Sequence, residues 1–162
     1  MGRRVVIVMD GSGKHETIFE YDRKGKPIFS YVLSITRNKP DNIYVVDKLS
    51  ADNSGRVVIL SEDGDVLNTF SGNPQVNTDK IIFQPLRLST TPSDNIIISN
   101  LNHSILYFLN NSGNFIEWRD TSKIGIIYPR SFSSTDSGHT YVGCVTSKNS
   151  RDNAKIYEMI IS

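Results

Sequence analysis

LRLSTTPSDNIIISNLNHSILYFLNNSGNFIEWR, residues 86–119, holds four short runs rich in β-branched and aromatic residues, separated by three polar turns. The runs cover 86–89, 95–99, 105–109 and 114–119. The turns are Thr91-Pro92-Ser93-Asp94, Asn100-Leu101-Asn102-His103 and Asn110-Asn111-Ser112-Gly113. Pro, Asn, Asp and Gly supply turn conformations, so the runs read as strands. A helix is the poorer reading, because no stretch of about ten residues escapes these breakers. Ile96-Ile97-Ile98 and residues 105–109 are apolar without alternation, which in short antiparallel strands implies a sheet covered on both faces. One four-stranded sheet cannot cover itself, so copies of the unit should stack against it.

Working outward from this stretch, the copies appear. Leu33-Ser34-Ile35 precedes the turn Asn38-Lys39-Pro40-Asp41, and Arg130-Ser131-Phe132 precedes Ser134-Thr135-Asp136-Ser137-Gly138. The step from Ile35 to Ile43, from Leu88 to Ile96 and from Phe132 to Thr140 is eight residues each time. A third-strand, turn and fourth-strand phrase recurs as FEYDRKGKPIFSY around Gly25, VILSEDGDVLNTF around Gly64 and YFLNNSGNFIEW around Gly113. Counting back from each glycine to the polar residue that closes the second strand gives Asp10, Asp47 and Asn100. Units of about 40–50 residues suit a radial repeat of four-stranded blades. The expected fold is therefore all-β, a β-propeller of four-stranded antiparallel blades. One domain spans 1–162, with units at 1–31, 32–72, 85–119 and 129–162. Fourteen strands are expected, as three, four, four and three.

The phrase Ile98-Ser99-Asn100-Leu101-Asn102-His103-Ser104-Ile105-Leu106-Tyr107-Phe108, running on to Ser112-Gly113, resembles the NHL repeat. Val45-Val46-Asp47 with Arg56-Val57-Val58-Ile59 and Asp63-Gly64 is a looser copy. The departures are specific: Asn100 stands where the repeat has Asp, and the Asn-His pair occurs only at Asn102-His103. The resemblance implies the six-bladed propeller at the C-terminal end of tripartite-motif ubiquitin ligases. In those propellers the C-terminus supplies the inner three strands of the last blade, the place residues 155–161 would take. On that resemblance the chain is an incomplete propeller of about three and a half blades, and unpaired strand edges would favour self-association. A closed ring of four blades is the competing geometry.

Composition narrows the function classes. The 162 residues carry a net charge of +1 with 22% charged side chains, so no acidic or basic tail dictates a partner. The single cysteine, Cys144, forms no internal disulfide and fits a reducing, cytoplasmic setting. Residues 5–9 are five apolar residues in a row, too few for a signal peptide or a membrane span. Val6 stands where N-myristoylation needs Ser or Thr. No membrane association is expected.

Several catalytic readings fall short on the residues. Asp10-Gly11-Ser12-Gly13-Lys14 looks like a phosphate loop, but Val8 replaces the first glycine and His15 the final Ser or Thr, and strand follows where a helix is needed. His15, His103 and His139 fall in or beside turns of separate units, without zinc-ligand spacing. Cys144 lies within Tyr141-Val142-Gly143-Cys144-Val145 and reads as a small buried hydrophobe, not a nucleophile. Asn102-His103-Ser104 and Asn110-Asn111-Ser112 match the glycosylation sequon, without a secretory signal. A lactonase-like propeller would need carboxylates on its innermost strands, where Ser34, Arg87 and Ser131 occur. No catalytic residue, metal or cofactor is expected.

Binding remains. In a propeller, the loops joining second to third strands and fourth to first strands share one rim. That rim would carry Lys14, Lys48, Arg56, Lys80, His103, Arg119, Lys123, Lys148 and Arg151, interspersed with Glu16, Asp52, Asp79, Asp120 and Asp152. Clustered cations suit phosphate contacts, so RNA is one candidate partner. The mixed charge and the lack of evident aromatic platforms in these loops favour a protein partner instead. The expected function is non-catalytic recognition of a protein, with a ubiquitin-ligase substrate as the partner the resemblance implies. RNA binding by the same rim is the alternative, and a lactonase-like hydrolase the least favoured.

Overall fold

One hairpin turn, used repeatedly, sets the architecture. A computed structural model describes residues 3–145 and 154–160. In seven hairpins the first turn residue donates its N–H to the carbonyl of the fifth, and the fourth donates to the carbonyl of the first, all at 2.8–3.1 Å. The first residues are Asp10, Asp22, Asn38, Ser61, Thr91, Asn110 and Thr135. The fourth residues, Gly13, Gly25, Asp41, Gly64, Asp94, Gly113 and Gly138, have φ between 65° and 94°. This is a type I turn ending in a left-handed residue, which reverses the chain with the twist that strands need. The side chains of Asp10, Asp22, Asn38, Ser61, Thr91 and Asn110 accept the N–H of the fifth residue, which explains the polar preference there.

Thirteen strands result among the described residues, in four antiparallel sheets. Sheet 1 pairs β1 (Val6–Met9) with β2 (His15–Phe19). Sheet 2 is a meander of β3 (Val32–Arg37), β4 (Ile43–Lys48), β5 (Gly55–Leu60) and β6 (Val66–Phe70). Sheet 3 repeats it with β7 (Pro85–Thr90), β8 (Ile96–Asn100), β9 (Ile105–Leu109) and β10 (Phe115–Asp120). Sheet 4 holds β11 (Pro129–Ser134), β12 (His139–Cys144) and β13 (Lys155–Ile160). The first strands of sheets 2, 3 and 4 carry a bulge at one matching place, between Val32 and Ser34, Pro85 and Arg87, and Pro129 and Ser131. The sheets are blades of a β-propeller. No helix among the described residues is long and apolar enough to cross a membrane.

The continuous apolar runs are covered on both faces, as expected. On β4 and β5, Ile43, Val45, Val58 and Leu60 pack with Val6 and Phe19 of sheet 1, while Tyr44, Val46, Val57 and Ile59 pack toward Ile96, Ile98 and Tyr107 of sheet 3. Ile97, Leu106 and Phe108 face Phe132 and Met159 of sheet 4. Each such aliphatic side chain contributes about 1.5–3 kcal/mol by leaving water. Phe70, Phe83 and Tyr107 meet edge to face, with ring centroids 5.1–5.9 Å apart, and Phe70 stacks on Phe115 at 6.0 Å. Tyr44 hands its hydroxyl to the Asn111 carbonyl at 2.8 Å, and burial pushes that phenol up to about 12.

The structure corrects the expected strands in one place, adds to the core in a second, and does not form the competing closed ring with the described blades. The fourth strand expected at 27–31 reduces to a Tyr21–Pro27 bridge and an Ile28 N–H bond to Glu20. Ile28 and Phe29 turn into the core instead, and Asp47 takes the N–H groups of Ser30 and Tyr31. Residues 73–84, between the second and third units, also contribute to packing, for Val76 and Phe83 are buried in the main core. The described blades do not close a four-membered ring: Ile7, Met9 and Ile18 of sheet 1 and Ile156 and Ile160 of sheet 4 are exposed. The last residue expected in the final strand, Ile161, lies outside the described residues.

Candidate interaction rim

The loops 49–54 and 101–104 and the connections 71–84 and 121–128 meet on one side of the blades. Gln84 ties them. Its side chain donates to the Asp52 carbonyl at 2.5 Å and accepts from Asn102 at 3.0 Å, and its carbonyl accepts from the Leu101 N–H at 2.8 Å. Asp47 and Asn100 close the second strands of sheets 2 and 3 and fasten the incoming chain. Asp47 Oδ1 accepts from Ser30 and Tyr31 at 2.7 Å each, and Asn100 Oδ1 accepts from the Gln84 N–H at 2.6 Å. In sheet 4 the matching position, opposite Pro129 as Asn100 is opposite Pro85, belongs to Cys144. Its thiol is buried and pushed up by that burial, which fits a hydrophobe rather than a nucleophile.

The expected cations scatter. Arg56 is committed to structure: its guanidinium pairs with fully buried Asp47 at 3.0 Å and donates to the Ile28 carbonyl at 2.7 Å. Arg119 lies over the Phe108 ring, 5.0 Å from its centroid, and pairs with Glu117 at 2.5 Å. Lys14, Lys80 and Lys123 are exposed and Lys48 is half-buried. Lys148 and Arg151 lie outside the described residues, as does Asp152, so their place on the rim is not described. Of the seven described, only His103 lines the groove found on this rim.

That groove, of roughly 430 Å³, runs between the 73–81 segment and the outer strands of sheet 3. Its walls include Gln75, Asn102, His103, Trp118, Asp120 and Tyr128. Trp118 stands opposite Tyr107 in the register and keeps 39% of its surface exposed. Tyr128 sits at φ 48°, a left-handed conformation that an aromatic residue rarely takes, and its N–H donates to Ser104 Oγ at 3.2 Å. Such strain concentrates where a side chain is held for a purpose. Asp120 Oδ1 accepts from the Ser122 N–H at 3.0 Å and the Ser122 hydroxyl at 2.5 Å, and these bonds hold its carboxyl below the usual carboxylate range. The expectation that the rim lacks aromatic platforms is therefore corrected. Trp118 read as the end of a strand and Tyr128 as the end of a connection; nothing local in the sequence pairs them, and the one available signal was that Trp118 is the only tryptophan. Chemically, the groove offers aromatic faces, amides, the His103 imidazole and one carboxylate. Among the described residues no three His, Cys, Asp or Glu side chains converge as a metal site.

No family model and no curated protein matches the chain. The NHL-repeat resemblance thus gains no support there. Solved structures do match. The chain is similar to a streptogramin B lyase at 15% identity and a TM-score of 0.62, covering 99% of this chain and 49% of that one. It is similar to the Neurospora crassa Pan2 WD40 domain at 9% identity and 0.57, covering 98% and 44%. It is also similar to a PQQ-bound aldose sugar dehydrogenase from Streptomyces coelicolor at 11% identity and 0.55, covering 95% and 51%. The chain spans about half the length of these structures. At such identities the likeness establishes the β-propeller fold and nothing about activity.

Proposed function

We propose that the chain is a non-catalytic interaction module that recognises a protein partner through the rim groove between the 73–81 segment and the outer strands of sheet 3. The observation that carries this reading is the pairing of half-exposed Trp118 with backbone-strained Tyr128 in one groove walled by amides. Large aromatic side chains at the centre of a concave patch are the usual anchors of protein recognition. The similar structures include two enzymes and a WD40 domain, so likeness does not choose between catalysis and binding. The finer reading, selection of substrates for a tripartite-motif ubiquitin ligase, rests on the resemblance of residues 98–113, and more loosely of 45–64, to the NHL phrase.

A photo-crosslinking amino acid at exposed Lys123, beside the groove but not in its wall, tests the reading. Proteins crosslinked by the parent chain are expected to be lost from the Trp118→Ala and Tyr128→Ala variants. Capture that ignores both substitutions overturns it. RNA remains a second reading because the same aromatic pair could stack bases. Titrating RNA affinity against salt decides that point: phosphate contacts predict steep weakening with ionic strength, and no binding even at low salt ends the RNA reading.

A further inference from the structure

The geometry points to an arginine side chain of a protein partner as the occupant of the rim groove, stacked on Trp118 and bridged to Asp120. The inference rests on the protein-recognition reading above and names what that site selects. Trp118 and Asp120 are two residues apart on β10, so both side chains leave the same face of the strand, about 7 Å apart. Arg119, between them, points the other way, over Phe108. A guanidinium is flat, weakly hydrated and forked, so it can lie on an indole face while its N–H groups reach a carboxylate.

The charge balance of the groove favours a cation. Asp120 is its one carboxylate and His103 its one imidazole, and no lysine or arginine lines it among the described residues. Ser122 occupies Oδ1 of Asp120 with both its N–H and its hydroxyl, and no described hydrogen bond reaches Oδ2. Lys123, in the adjoining 3-10 turn, acts on Asp120 through its charge but makes no ion pair with it among the described contacts. The carboxylate is therefore anchored at one oxygen and presents the other. The site does not depend on a neighbouring molecule, because every wall comes from residues 75–128 of this chain.

A displayed library of random dodecapeptides, selected against the chain, tests the assignment, with fluorescence of the only tryptophan reporting occupancy of the groove. Arginine-bearing peptides are expected to be enriched and to perturb Trp118 emission. Replacing that arginine by citrulline, which keeps the shape and removes the charge, should weaken binding about tenfold or more. Asp120→Asn retains the oxygen that accepts from Ser122, so the turn is kept, and should weaken the same peptides to a similar degree. Its thermal midpoint serves as the folding control. Enrichment of acidic or wholly apolar peptides that still perturb Trp118 overturns the arginine assignment and leaves protein recognition standing. Absence of any peptide whose binding depends on Trp118 overturns both.

Discussion

Gly25, Gly64 and Gly113 occupy one position of one turn, yet their neighbours differ. At Gly113 an added Cβ would lie 3.0 Å from Ile59 of the preceding blade, and at Gly64 it would overlap the buried Phe19 ring. At Gly25 nothing lies within 4 Å. All three have positive φ, between 74° and 87°. Gly25→Ala should therefore cost only the left-handed backbone, about 1–2 kcal/mol. Gly64→Ala adds overpacking against Phe19, roughly 1–3 kcal/mol more. Urea midpoints of the two variants measure the difference, and equal losses would refute the blade contact. The glycines were legible as turn residues because turn chemistry is local. Their packing role was not, since Phe19 is 45 residues from Gly64 and no local pattern links them. Trp118 and Tyr128 escaped notice for the same reason.

Where one blade hands the chain to the next, a buried polar side chain replaces a missing strand partner. Asp47 is fully buried, yet it serves the Ser30 and Tyr31 N–H groups and the Arg56 guanidinium together. Asp47→Ala leaves those donors without an acceptor, and breaking a buried pair in this way costs about 3–5 kcal/mol. Asp47→Asn keeps the oxygen facing Ser30 and Tyr31, as Asn100 does for Gln84, and should cost much less. Chemical denaturation, with amide exchange at residues 30 and 31, reads both effects. An alanine variant that loses no more than about 1 kcal/mol, the net worth of one ordinary hydrogen bond, would show that the clasp is idle. The sequence marked Asp10, Asp47 and Asn100 as equivalent because each closes a second strand. Asp10 instead spends its carboxylate on its own turn, bonding Ser12 and Lys14. The missing strand at 27–31 has the same root, for Pro27 cannot donate to a ladder, and a carboxylate from another sheet claims the N–H groups that follow.

At the scale of the molecule, each blade face is stable only against another, and two faces have no neighbour among the described residues. On β13, Ile156 and Ile160 are 79% and 77% exposed, with Tyr141 of β12 on the same face. On sheet 1, Ile7, Met9 and Ile18 are exposed together. Among the described residues β13 is also the outer strand of sheet 4, so its edge adds backbone groups unpaired there to the apolar surface. Burying one such isoleucine is worth about 1.5–3 kcal/mol, enough for a few contacts of this kind to drive association. The isolated 162-residue chain is therefore expected to self-associate as its concentration rises. Ile156→Lys and Ile160→Lys should each shift it toward monomer in analytical ultracentrifugation. Leu67→Lys, equally exposed in kind but placed on the outer strand of sheet 2, is the control and should leave the distribution unchanged. If the lysines at 156 and 160 act no more strongly than the one at 67, association does not run through the open blade face, and the apolar surface there is tolerated as ordinary exposed surface.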